Sequence, residues 1–118
     1  MKYEVTVTAI GDFVLPFMQT RESVILFNKD VPYEYENMVV AHTKAELAAD
    51  IVPGDKVSLA DRSYTVTAVG DKAMQTLREN GHCTIVFTGK DMVEQPGQIM
   101  VKGEGVPRFM VGDVIRFM

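Results

Sequence analysis

The chain has no tryptophan, one cysteine and two histidines in 118 residues. A lone Cys83 excludes an internal disulfide and fits a reducing compartment. Two histidines and one cysteine, with His42 forty residues before the adjacent His82-Cys83, are too few and too widely spaced for zinc, and neither a metal nor another cofactor is expected. The six phenylalanines and four tyrosines are scattered, so no stacking row for single-stranded nucleic acid is present. Formal net charge is −4, with acidic and basic residues interleaved. The concentrated positive footprint of a nucleic-acid binder is therefore missing. No stretch approaches the roughly 18 apolar residues of a membrane-spanning helix, and the opening residues hold no apolar signal core. The expectation is a cytoplasmic protein that does not insert into a membrane. Gly103-Glu104-Gly105 lacks the Lys-Ser/Thr ending of a phosphate loop, and Ser23, Ser58 and Ser63 lie outside any nucleophile elbow.

What the chain does contain is nearly the same text twice. Val5-Thr6-Val7-Thr8-Ala9-Ile10-Gly11-Asp12 returns as Tyr64-Thr65-Val66-Thr67-Ala68-Val69-Gly70-Asp71, an offset of 59. Ser23-Val24-Ile25-Leu26-Phe27 returns as Cys83-Thr84-Ile85-Val86-Phe87, and Gly54-Asp55-Lys56-Val57 as Gly112-Asp113-Val114-Ile115. Three matches in order imply a single domain over 1–118, with internal repeats of approximately 1–59 and 60–118 around a pseudo-two-fold axis. Neither half could bury its apolar face alone.

Most of the apolar signal has period two. Tyr3, Val5, Val7 and Ala9 share one face, and Tyr64, Val66 and Ala68 repeat it. Further short β-branched runs predict strands over 23–28, 38–42, 56–60, 83–88, 98–102 and 113–117, with a hairpin turn at Asp61-Arg62. The Gly54-Asp55 and Gly112-Asp113 steps predict tight turns, with the aspartates bonding backbone amides as in the paired Gly-Asp boxes of small pseudo-symmetric barrels. A short helix is expected over Lys72–Asn80, capped by Asp71, with Ala73, Met74 and Leu77 inward and Gly81 ending it. Its counterpart near Asp12–Glu22 must start close to Pro16. Thr43-Lys44-Ala45-Glu46 fits a capping box and predicts another helix before Pro53. The expected fold is mostly β, a small, partly open, pseudo-symmetric barrel with one or two short helices.

His42 breaks the repeat, because Met100, Val101 and Lys102 stand 58 to 60 residues further on. At the N-terminus of the expected Thr43 helix, its imidazole would face open amides that favour an anion. A phosphoryl group carried on His42 would then meet those amides, the Thr43 hydroxyl and Lys44; a structural histidine at a strand end is the alternative. His82 could orient His42 if the halves bring the two together, or could serve its strand entrance alone. Cys83 reads as a buried small hydrophobe, and the eight methionines as core filler.

Taken in order, His42-Thr43-Lys44-Ala45-Glu46-Leu47, Pro53-Gly54, Tyr64-Thr65-Val66-Thr67-Ala68-Val69-Gly70, Asn80-Gly81-His82-Cys83-Thr84, Pro96-Gly97 and Gly112-Asp113-Val114-Ile115-Arg116-Phe117 resemble one family. It is the glucitol/sorbitol-specific IIA component of the bacterial phosphoenolpyruvate-dependent sugar phosphotransferase system. The resemblance implies a cytoplasmic phosphocarrier, a protein-histidine phosphotransferase. Such a carrier takes a phosphoryl group from the histidine-containing phosphocarrier protein and passes it to the IIB component of an IIB/IIC sugar permease. His42 matches the position phosphorylated in the family. Members can carry a second histidine two residues later, where this chain has Lys44. Neither metal nor nucleotide is implied, and a homodimer is left open. The competing reading is a non-catalytic β-barrel interaction or regulatory module.

Overall fold

Alternation along Tyr3–Ile10 turns Tyr3, Val5 and Val7 to one face, and that face is buried. The computed structural model describes residues 1–118. It begins with strand β1 (Tyr3–Ile10), helix α1 (Val14–Arg21), β2 (Ser23–Asn28), a 3₁₀ turn at Tyr33–Met38, β3 (Val39–His42) and β4 (Lys56–Leu59). The order returns as β5 (Arg62–Val69), α2 (Ala73–Asn80), β6 (Cys83–Val86), β7 (Gln98–Lys102) and β8 (Val114–Phe117). No helix is long and apolar enough to cross a membrane.

The strands form a ring in the order β1-β3-β2-β6-β7-β5-β4-β8. Pairs β2–β3 and β6–β7 are parallel, and the remaining pairs are antiparallel. Strand β4 leaves the first half to pair with β5, and β8 leaves the second half to pair with β1. The halves are thus interleaved, and neither has a complete wall without the other. This mostly-β barrel with short helices is the expected architecture, but it is closed rather than partly open. Closure follows because β8 pairs on both sides, with β1 and β4, leaving no edge exposed. Side chains fill the interior, including Val5, Leu26, Val40, Leu59, Ile85, Ile99 and Ile115. Each helix adds two buried residues to that core, Val14 and Met18 from α1, Ala73 and Leu77 from α2.

Matching irregularities occur in the two halves. Strand β1 is bulged between Val7 and Ala9, and β5 between Val66 and Ala68. At each bulge a Gly-Asp turn docks. Gly54 N donates to Val66 O at 2.8 Å and Val66 N to Asp55 O at 2.8 Å. Gly112 N likewise donates to Val7 O at 2.9 Å, and Val7 N to Asp113 O at 2.8 Å. Within the turns, the Asp55 and Asp113 carboxylates accept from Val52 N at 3.0 Å and Met110 N at 2.7 Å. The glycines have φ of 96° and 95°, the left-handed range that a Cβ disfavours.

Three local expectations are corrected. The β4–β5 hairpin turns at Ala60-Asp61, because Leu59 pairs with Arg62; Ala60 takes the positive φ of 57°. The residue at the N-cap of α2 is Lys72, and Asp71 makes no cap there. Residues 43–50 form no helix. Thr43 N donates instead to Thr6 O at 2.9 Å, Thr6 N to Thr43 Oγ1 at 3.0 Å, and Ala48 N to Lys2 O at 2.8 Å. The hydroxyl that would have capped a helix is bonded to β1. The extended path also carries Ile51 into the core. Tertiary pairing overrides the local capping pattern here.

Candidate functional site

Inward positions of β3 are Val40 and His42, so barrel geometry points the imidazole into the interior. His42 is 0% exposed. Its Nδ1 lies 2.7 Å from Thr43 O and its Nε2 2.8 Å from Gly81 O. Neutral imidazole has one N–H and can satisfy one of these carbonyls; only the doubly protonated ring satisfies both. Tyr3 stands edge-on to the imidazole, with ring centroids 6.2 Å apart. The register pairs Asn28 with His42 across the parallel β2–β3 ladder.

Gly81 ends α2 in the left-handed conformation, with φ 60°, and its N–H donates back to Leu77 O at 2.9 Å. The same place at the end of α1 is held by Glu22, with φ 51°. A non-glycine residue therefore adopts this cap in the first half. Glycine is needed in the second because a Cβ at 81 would lie 2.5 Å from His42 Cε1. The histidine and glycine are sterically matched.

Outside this contact lies a polar cleft of about 170 Å³, lined by Tyr3, Asn28, Lys44, Arg78, Glu79 and Gly81 among others. Arg78 donates to Asp50 at 2.5 Å, and Lys44 pairs with Asp30. The hydrogen bond from Lys44 holds the Asp30 carboxyl below the usual carboxylate range. Burial pushes the Tyr3 phenol up to about 12, with Cys83 adding to the shift. No group of three or more His, Cys, Asp or Glu side chains is arranged to hold a metal ion.

The four residues singled out in the sequence do not gather around one point. Lys44 lines the cleft in front of His42. Thr43 reaches the site through its backbone carbonyl, while its hydroxyl is part of the β1 contact. The helix N-terminus expected to supply amides is absent. His82 turns to the outer side of the barrel wall, where its Nδ1 meets Leu26 O at 3.0 Å and its ring lies 5.1 Å from Phe27. Its neighbour Cys83 points inward, as alternation along a strand requires. His82 thus follows Gly81, whose carbonyl meets His42, but its own ring bonds Leu26 O and does not orient His42.

Sequence reading passed over Tyr3, Asn28 and Arg78. Asn28 left a signal: it is the polar third member of the inward series Val24, Leu26, Asn28 in β2. Arg78 carried none, because a cation in the last turn of a helix is expected on any surface helix.

Fold and site define a class: a closed eight-stranded barrel of interleaved halves, with one buried histidine behind a polar cleft. A crystal structure described as the PTS system IIA component from Enterococcus faecalis V583 has this fold, with a TM-score of 0.86 at 22% identity, covering 98% of this chain and 99% of that one. The family model for the PTS system glucitol/sorbitol-specific IIA component matches residues 2–116. Relatives described as the PTS system glucitol/sorbitol-specific EIIA component in Escherichia coli (strain K12) and Shigella flexneri are each 34% identical over 115 residues, 98% of this chain and 93% of theirs. The chain belongs to the glucitol/sorbitol-specific IIA component family of the phosphotransferase system.

Proposed function

We propose that this chain is a cytoplasmic, single-domain phosphocarrier in which His42 accepts a phosphoryl group from the histidine-containing phosphocarrier protein. It then passes the group to the IIB component of a glucitol/sorbitol permease. Family membership supports the system and sugar class. The observation that carries the residue assignment is His42 itself, the one fully buried imidazole in a largely apolar barrel, backed by a cleft holding Lys44 and Arg78.

The geometry favours Nε2 as the acceptor. Nδ1 faces the carbonyl of the adjacent residue, which is fixed by its β1 contacts, and a proton held there leaves the lone pair on Nε2. That lone pair would face Gly81 O across 2.8 Å, a repulsive contact, so transfer requires the turn at Gly81 to move outward. Nε2 then opens toward the cleft that Gly81 lines. In transfer, the Nε2–P bond forms as the donor's N–P bond breaks, and the electron pair of the broken bond returns to the donor imidazole. The Nδ1 proton stays against Thr43 O. Lys44 and Arg78 offset the phosphoryl charge, and the remaining requirement is in-line approach.

The sealed ring also supports a second reading. If Gly81 never releases Nε2, His42 is a cross-link between β3 and the end of α2, and the protein is a non-catalytic interaction module. Incubation with phosphoenolpyruvate, Enzyme I and the phosphocarrier protein separates the two. An acid-labile label on wild type and none on a folded His42→Gln variant is the expected result. Equal labelling of both, or of neither, contradicts the carrier assignment.

A further inference from the structure

We propose that the cleft beside Gly81 is the phosphoryl-entry site, with the Tyr3 hydroxyl and the Arg78 guanidinium as its hydrogen-bond donors; this rests on His42 being the acceptor. Tyr3 is 2% exposed, yet its hydroxyl has no hydrogen-bond partner in the chain. Every fully buried side-chain polar atom has a partner. The unpartnered hydroxyl is therefore not sealed from solvent, and the opening that Tyr3 lines is this cleft. A phenol in such a position usually bonds something.

Tyr3 and Gly81 border the same opening, and both touch the imidazole. A phosphoryl group moving between them toward Nε2 passes the hydroxyl. Arg78 lines the opening from α2, three residues before Gly81. Its partner Asp50 and Arg78 itself have side chains 62% and 48% exposed, so the pair contributes little and is readily exchanged. A phosphoryl group offers the guanidinium a bidentate partner in its place. Glu79 is the one carboxylate in the lining, against the two cations Lys44 and Arg78. During transfer the charge lies on three equatorial phosphoryl oxygens, and hydrogen-bond donors brought to those oxygens favour that state.

The test is the rate of transfer from ³²P-labelled phosphocarrier protein to wild type, Tyr3→Phe, Arg78→Gln, Asp50→Asn and His42→Gln, with a melting curve for each. Tyr3→Phe keeps the ring and should melt like wild type while accepting phosphate about tenfold more slowly or worse. Arg78→Gln should be slowed similarly. Asp50→Asn breaks the same ion pair but leaves the guanidinium free, and should match or exceed the wild-type rate. Wild-type rates for Tyr3→Phe and Arg78→Gln would overturn the cleft assignment while leaving His42 as acceptor. Equal slowing of Arg78→Gln and Asp50→Asn would reduce Arg78 to a tether and overturn its part. Label retained by His42→Gln, or absent from wild type, would remove the acceptor and the cleft together.

Discussion

His42 and Val101 occupy equivalent places in the barrel. His42 lies opposite Val7 on the bulged strand β1, and Val101 lies opposite Val66 on the bulged strand β5. Both side chains are fully buried in the interior. One half thus fills the position with an apolar residue that needs nothing further, and the other with a ring that needs two polar partners. The carbonyls of Thr43 and Gly81 face its two nitrogens, and the neutral ring can bond only one of them.

Gly81→Ala should be far more damaging than Gly54→Ala. Both glycines have positive φ, so both substitutions carry backbone strain of about 1–3 kcal/mol. At Gly54 nothing lies within 4 Å of an added Cβ, whereas at Gly81 the methyl would press on His42. The additional overpacking is about 1–3 kcal/mol. Chemical denaturation of both variants checks the difference; equal destabilisation would mean that the Gly81–His42 contact is not tight in solution.

Acid should weaken the barrel partly through Asp55. The hydrogen bond from Lys2 Nζ, at 2.6 Å, and that from Val52 N–H hold its carboxyl below the ordinary value. A depressed carboxyl contributes stability that is present above its unfolded value and lost as pH falls through the folded one. Asp55→Asn should therefore lower the melting temperature at pH 7, and the gap from wild type should narrow below about pH 4. A gap that stays constant between pH 7 and pH 2 would exclude this contribution.

Cys83 should be inert in the folded protein. It is 1% exposed, and burial pushes its thiol up to about 12. Thiolate is the reactive form, so a thiol reagent at pH 8 should label only denatured chain. Labelling of native protein at the denatured rate would show that β6 opens readily.

Much of this was legible in the sequence because it is written in local patterns. All eight strands lie where period-two alternation or short β-branched runs predict them, and both Gly-Asp turns use their aspartates as read. The helix ending at Gly81 was legible for the same reason. The Thr43 helix was misread because its capping pattern is local, while the competing partners, Thr6 and Lys2, lie some 40 residues away in the chain. Ring closure was hidden because nothing in β8 announces that it pairs on both sides. At the site, His42 stood out as the exception to a repeat. Tyr3 did not, because a tyrosine opening an inward series looks like any core aromatic until its hydroxyl is found without a partner. Gly81 was read as a helix stop, and only the structure connects it to the imidazole.

The most direct measurement is a long-range ¹H–¹⁵N spectrum of the ¹⁵N-histidine-labelled protein, before and after phosphorylation by Enzyme I and the phosphocarrier protein. Two histidines make the assignment simple, with His82→Gln identifying the second set of signals. The account predicts a phosphoryl group on Nε2 of His42, a proton retained on Nδ1, and an unmodified His82. Phosphorylation of His82, or of Nδ1 on His42, would contradict it.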